Sequence, residues 1–585
     1  MKEKFDKNVL LVARIVFLLF SFVFLGICNG EFLYKMQNVS YFVFSDGLKE
    51  EIVGQSGGLL TYLSSYLTQY LYYPLLGAAM LSVLLSALEW LVEKLTHSPV
   101  FSFAIAGLVL LAQTSVGYAI YDNFRSPFIF SLVLGCIVAV LLALVYQRFS
   151  SNKYAAYVVM AVASLLYFYI GLYACVPLVF VAVSALMKKE EMAVVKAVLG
   201  VALTLILPYI AANFVYFEDF AATICAPVPA PYFLNLFLIS LTVLVLLSLS
   251  PLFAEKLQAL ADRLSTNKVW VSYLAILLLC VGIFFGSYRD ANYHTELKVQ
   301  RLAEAHQWDE LLKVAKEVEQ PSKTIFAYRC IALSCKGILA RSMFDYPCTF
   351  KVVKTNYVSE QPRYYEDIFL YSSFINNAYL WSMEFWCTTG YSYEHLKKMI
   401  LCSLLNDEPM LADKYIQVLK QSTFQRQWAL EYEEYVKDLD KMLKKYPEFV
   451  EVKANMPKEC IVSTLDPLRK VYAQYSFLSP KNAERRLLAD LWNRNMAKFL
   501  RDALPSRSLY AHSDVPESIK EALVICAMKQ GDPSFLKDFK VTQQQVNLVQ
   551  GFMGQLKKYS DKEEAKKALS KYKGHYCYFY VFANN

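Results

Sequence analysis

The sequence predicts an all-α protein in two parts: a polytopic bundle of about nine membrane-spanning helices over residues 1–287, then a domain of stacked helix pairs over residues 288–585. Three observations carry this. Nine apolar stretches precede residue 288 and none follows it. Charged side chains number 31 in the first part and 79 in the second, at nearly equal length. Beyond residue 288 apolar residues recur at helical spacing, punctuated by Pro and Gly.

Unsatisfied backbone groups are costly in hydrocarbon, so runs of roughly 20 apolar residues read as spanning helices. They cover about 9–28, 73–93, 99–118, 127–147, 154–172, 173–187, 193–214, 232–254 and 269–287. Gly171, Tyr173 and Pro177 divide the fifth from the sixth, which reads either as two spans or as a re-entrant or kinked pair. The first run is longer than a signal core, lacks an A-x-A-like site, and is expected to be retained. Cys28 hints at a lipoprotein site, but Ile27 is too large where a small residue is expected. Arg14 lies within the first span, where a long side chain can snorkel to the headgroups. Glu89 and Glu93 fall near the end of the second, an ordinary interfacial position.

Lys and Arg in short loops set orientation. With the N-terminus in the cytoplasm, the inner segments hold Lys2, Lys4, Lys7, Lys94, Arg148, Lys153, Lys188, Lys189, Lys196, Lys256, Arg263 and Lys268, against Lys35, Lys49 and Arg125 outside. Nine crossings then place the C-terminal half in the periplasm; loss of one would reverse it.

The second half opens with Leu297–Val318, where Leu302, Leu311, Leu312, Val314, Ala315 and Val318 recur at helical spacing and Trp308-Asp309-Glu310 begins a second helix. Gln320-Pro321-Ser322 breaks the pattern before Ile325–Leu339. A second pair runs from Tyr393 to Tyr435 around the turn Asn406-Asp407-Glu408-Pro409. This alternation resembles tetratricopeptide-type repeats, in degenerate form. Helical patterning continues through 480–504 and 515–530. The closing run Tyr576-Cys577-Tyr578-Phe579-Tyr580 is expected to dock back into the core, the alternative being a partner-binding tail.

Composition excludes several function classes. The second half carries 43 Lys and Arg against 36 Asp and Glu, without single-sign blocks, so it is a solvated surface and no nucleic acid is expected. Thirteen cysteines show no metal-binding spacing. In an oxidising compartment Cys330, Cys335, Cys348 and Cys387 are the candidates to pair; buried free thiols are the other reading. Dinucleotide-binding, P-loop, H-E-x-x-H and G-x-S-x-G motifs are absent, and none of the six histidines falls in a span.

Chemistry is expected at the outer face. The long first outer loop, residues 29–72, begins Gly30-Glu31-Phe32, contains Asp46, Glu50 and Glu51, and ends in Gly57–Tyr70, where Leu59, Leu60, Leu63 and Leu67 form a stripe suited to lying on the outer leaflet. The next outer loop carries Tyr121-Asp122-Asn123. This layout resembles the GT-C superfamily of membrane glycosyltransferases over about residues 1–290. The resemblance implies that Glu31 is the first functional acid and Asp122 the second, with Asp46 as a substitute for either. It also implies a lipid-linked sugar donor, with a divalent metal over its diphosphate as an option. Asp122-Asn123 departs from an acid-x-acid pair, and nine spans is fewer than most members have. The site is then expected among the 29–72 loop, the 118–126 loop and the repeats.

The whole chain also resembles an uncharacterised multipass family of Bacteroidota. The residues behind this are Gly57-Gly58-Leu59, Leu67-Thr68-Gln69, Tyr72-Tyr73-Pro74-Leu75-Leu76-Gly77, Ala332-Leu333, Met343–Pro347, Ala412-Asp413-Lys414-Tyr415 and Trp428-Ala429. It implies the inner membrane of a Gram-negative bacterium and no particular activity. Two functions follow as expectations: sugar transfer at the periplasmic face, or a scaffold that recruits protein partners through its helical repeats.

Overall fold

A computed structural model describes residues 2–121, 128–228, 234–264, 268–345, 364–388, 390–457 and 480–583. Among these the regular secondary structure is helical throughout, without a strand. The chain divides into two units. One comprises Met1–Asp290 together with Thr388–Glu394 and Gln417–Leu430; the other comprises Ala291–Cys387, His395–Ile416 and Glu431–Asn585. Two short segments from the charged half are thus part of the apolar unit.

In the first unit every one of the nine apolar stretches is helical. They form α1 (Lys2–Val23), α5 (Pro74–Thr96), α6 (Pro99–Thr114), α7 (Phe128–Arg148), α8 (Ala155–Ile170), α9 (Cys175–Met187), α10 (Ala193–Ile210), α12 (Leu234–Ser248) and α14 (Lys268–Gly286). Among the described residues five segments are long and apolar enough to cross a membrane: Asn8–Cys28, Pro74–Thr96, Phe128–Arg148, Ala155–Met187 and Ala193–Val215. Pro99–Thr114, Asn235–Ser248 and Ile276–Gly286 are shorter apolar helices. The remaining helices of this unit are α2 (Gly30–Val39), α3 (Asp46–Val53), α4 (Gly58–Thr68), α11 (Phe220–Cys225) and α13 (Ser250–Leu264).

α1 is built into the bundle. Ala13, Phe17, Ser21, Phe24 and Leu25 form its buried stripe, while Leu11, Val12, Ile15, Val16 and Leu19 are exposed. Arg14 is paired within the bundle. Its Nε donates to Glu89 Oε2 at 2.6 Å, Ser102 Oγ donates to Glu89 Oε1 at 2.8 Å, and Glu93 lies 3.5 Å from the guanidinium. Glu89 is 0% exposed and Arg14 partly exposed, so a half-buried arginine compensates a buried carboxylate across two apolar helices, where a lone charge would be costly.

The 29–72 segment is largely helical, and its leucine stripe divides. Leu60, Ser64, Ser65 and Thr68 of α4 are buried against neighbours that include α7, while Leu59 and Leu63 are exposed. Small and polar residues together with Leu60 face the bundle, and Leu59 and Leu63 face outward.

Contacts around α8 and α9 show where that segment turns. Tyr216 Oη donates to the Phe168 carbonyl at 2.6 Å, the Gly57 amide donates to the same oxygen at 3.3 Å, and the Leu172 amide donates to Ala226 at 3.2 Å. Gly171, at φ 61°, permits the turn because a Cβ there would meet the Ala226 carbonyl at 2.0 Å. Past α9, Tyr146 Oη at the end of α7 donates to Glu190 Oε1 at 2.7 Å. The α8–α9 segment therefore starts and finishes on the side where α7 ends, and turns on the side of Gly57 and Tyr216.

In the second unit α15 (Ala291–Glu304), α16 (Trp308–Lys316) and α17 (Lys323–Cys335) pack on one another through Leu297, Ala303, Leu311, Ala315, Ile325 and Tyr328. The break at 320–322 works as a cap, with Ser322 Oγ accepting from the Ile325 amide. The closing aromatic run docks: Tyr576 and Cys577 are buried, Tyr576 Oη donates to the Leu491 carbonyl at 2.8 Å, and Trp492 and Phe579 lie 5.1 Å apart. Cys330, Cys335 and Cys387 are free thiols; Cys348 lies outside the described residues.

Candidate functional site

Three acids define the expected site, and their surroundings differ. Glu31 stands in the first turn of α2, half-buried, where helix amides favour a negative charge. Asp46 is the first residue of α3 and exposed; beside the Ser45 cap, which accepts from the Leu48 amide, it serves the helix terminus. Asp122 and Asn123 lie outside the described residues. Asp122 does follow Tyr121, whose ring is placed.

That ring leads to a largely buried ion pair of the first unit. Lys35 lies one turn beyond Glu31 on the same face of α2, about 6 Å along the axis. Its Nζ is 5.1 Å from the centre of the Tyr121 ring and pairs with the Glu394 carboxylate. Both partners are largely buried, with 10% and 19% of their side chains exposed. Glu31, Lys35, Glu394 and the residue preceding Asp122 thus occupy one neighbourhood.

An amide network continues from the same helix. Gln69 Oε1 accepts from Tyr393 Oη at 2.7 Å and from Gln37 Nε2 at 3.3 Å. Gln69 Nε2 donates to the Ser40 and Ser65 carbonyls at 2.7 and 3.0 Å. Tyr393 Oη also accepts from the Phe42 amide at 3.1 Å and lies against its carbonyl. Burial holds the Tyr393 hydroxyl well above its ordinary range, so it acts as a neutral hydrogen-bonding group.

Aromatic rings close the surroundings. Phe424 stacks on Tyr72 at 5.6 Å and 5° and meets Tyr70 and Tyr73 edge-on at 5.4 and 5.6 Å. The Phe44 amide donates to the Gln421 carbonyl at 3.0 Å. The segments carrying Glu394 and Phe424 escape a sequence reading because they lie far along a charged half. Their only local signal is the aromatic-acid run Tyr391-Ser392-Tyr393-Glu394.

Chemically, Lys35 offers a cation for a phosphate and Glu31 a carboxylate for a hydroxyl. Among the described residues no three His, Cys, Asp or Glu side chains gather as a metal-binding set.

No curated protein and no solved structure matches this chain. A family profile matches residues 7–583, nearly the whole length. The chain belongs to that family, a family of unknown function (DUF6057).

Proposed function

We propose that this is an inner-membrane protein of a Gram-negative envelope that transfers a sugar from a lipid-linked donor at its periplasmic face, in the manner of GT-C enzymes. The observation that carries the reading is the buried Lys35–Glu394 pair against Tyr121, one helical turn from Glu31. In this reading Lys35 meets the donor phosphate, Glu31 orients the acceptor hydroxyl, and Asp122 supplies the second carboxylate. Asp46 is left as a helix-terminal acid.

Orientation is part of the proposal. The N-terminus is cytoplasmic, nine crossings are made, and the tetratricopeptide-like domain, residues 288–585 in the main, is periplasmic. The Lys and Arg bias supports this, as does the turn at Phe168–Leu172 beside Gly57, because the α8–α9 segment then leaves and re-enters one side and preserves the parity of the count.

Glu31→Gln and Asp122→Asn remove charge at nearly constant size. Each is expected to give the envelope glycan pattern of the deletion strain rather than that of the wild type, at membrane levels matched by blot. A wild-type glycan pattern in both variants, or a deletion without glycan change, would leave a second reading: a scaffold that recruits proteins through its helix pairs.

A further inference from the structure

The helix α10 ends in a way that its own sequence makes strained. Residues Ala211–Val215 widen into a π-helical turn, the Tyr216 amide bonds the Ala211 carbonyl at 2.9 Å, and the Glu218 amide bonds Ala212 at 3.1 Å. That closure, from Ala212 to Glu218, puts Phe217 in the left-handed region, at φ 54°. Helices closed this way usually place glycine there, because a Cβ crowds the following carbonyl. A phenylalanine stands here, and 80% of it is exposed. Packing within the chain therefore does not offset the strain, and the ring's partner lies outside the chain.

The surroundings identify that partner. Val194, Val198, Val201, Leu205 and Tyr209 are exposed along one face of α10; Phe214, 67% exposed, and Phe220, the first residue of α11, are exposed beyond its end. Ala193–Val215 is 23 residues long, roughly 34 Å, which matches a bilayer core. Exposed Lys188 and Lys189 precede it, and the aromatic cluster with Glu218 and Asp219 follows. Lysines at one end and aromatic rings at the other are the arrangement that interfaces favour.

We propose that residues 209–220 form an aromatic anchor seated in the headgroup region of the leaflet at this end of α10, with the Phe217 ring as its tip and phospholipid as its occupant. The anchor is independent of any transfer reaction, and its test uses no activity.

The full chain is reconstituted in nanodiscs of phosphatidylethanolamine and phosphatidylglycerol with p-benzoylphenylalanine in place of Phe217, in place of Leu205 on the exposed stripe, or in place of buried Tyr328. After irradiation, intact mass is expected to show lipid adducts at 217 and 205 and none at 328. Cross-linked dimers at 217, or no lipid adduct there while 205 yields one, would overturn the proposal. Phe217→Gly provides a second measure in detergent. Its melting temperature is expected to rise, since the strain is relieved and no internal packing is lost; a fall would show the ring to be packed within the chain and would overturn the anchor.

Discussion

Arg14 and Glu89 form a pair whose members cannot be removed singly at small cost. Arg14→Ala would leave the Glu89 carboxylate buried among apolar helices beside Glu93, and a loss of about 3–5 kcal/mol is expected. Arg14→Met with Glu89→Leu should recover most of it, because apolar residues of similar volume replace a desolvated pair. Thermal unfolding in detergent of the two variants checks both. A second residue ties stability to pH. Burial raises the Asp490 carboxyl to about 6, with Asp502 adding to the rise and Lys498, 2.9 Å away, opposing it. The folded chain holds that proton more tightly than the unfolded chain, whose value is near 4. Stability from this group is therefore present at acid pH and lost as pH rises from about 4 to about 6. Asp490→Asn should flatten that decline in a pH series of unfolding midpoints.

At the level of elements, the 417–430 segment tests how the apolar unit is assembled. Phe424→Ala removes one stacked and two edge-on ring contacts, each on the order of 1 kcal/mol. Hydrogen exchange in 417–430 is expected to quicken, with α16 and α17 unchanged; equal rates in variant and wild type would show the rings to be incidental. The element α4 shows how far sequence reasoning reached. Its helicity is legible in Gly58–Thr68, but the leucine stripe does not indicate which face packs. Leucine is favourable both against protein and against lipid, whereas Ser64, Ser65 and Thr68 allow a close approach that only the neighbouring helices reveal. Glu31 was legible as an acid at the start of a helix. Its companions Lys35 and Glu394 were not, because their meeting depends on a segment more than 350 residues away.

For the whole molecule, the decisive quantity is the parity of the crossings. A phosphatase reporter fused after Asn585, active only outside the cytoplasm, is expected to be active. A protease site inserted between Gly171 and Leu172 should be cleaved from the same side, and one at Lys188-Lys189 from the opposite side. Cleavage of both from one side would refute the hairpin. The sequence by itself determined that the chain is helical, that its first half is apolar enough for a membrane, and where the second half begins. Those features follow from local composition and spacing, which a chain carries before it folds. Tertiary structure alone decided that Arg14 is paired, that α8 and α9 turn beside Gly57, and that 388–394 and 417–430 join the apolar unit. Each depends on contacts between residues distant in sequence, and no local pattern specifies which of many similar tyrosines, carboxylates or leucines will meet.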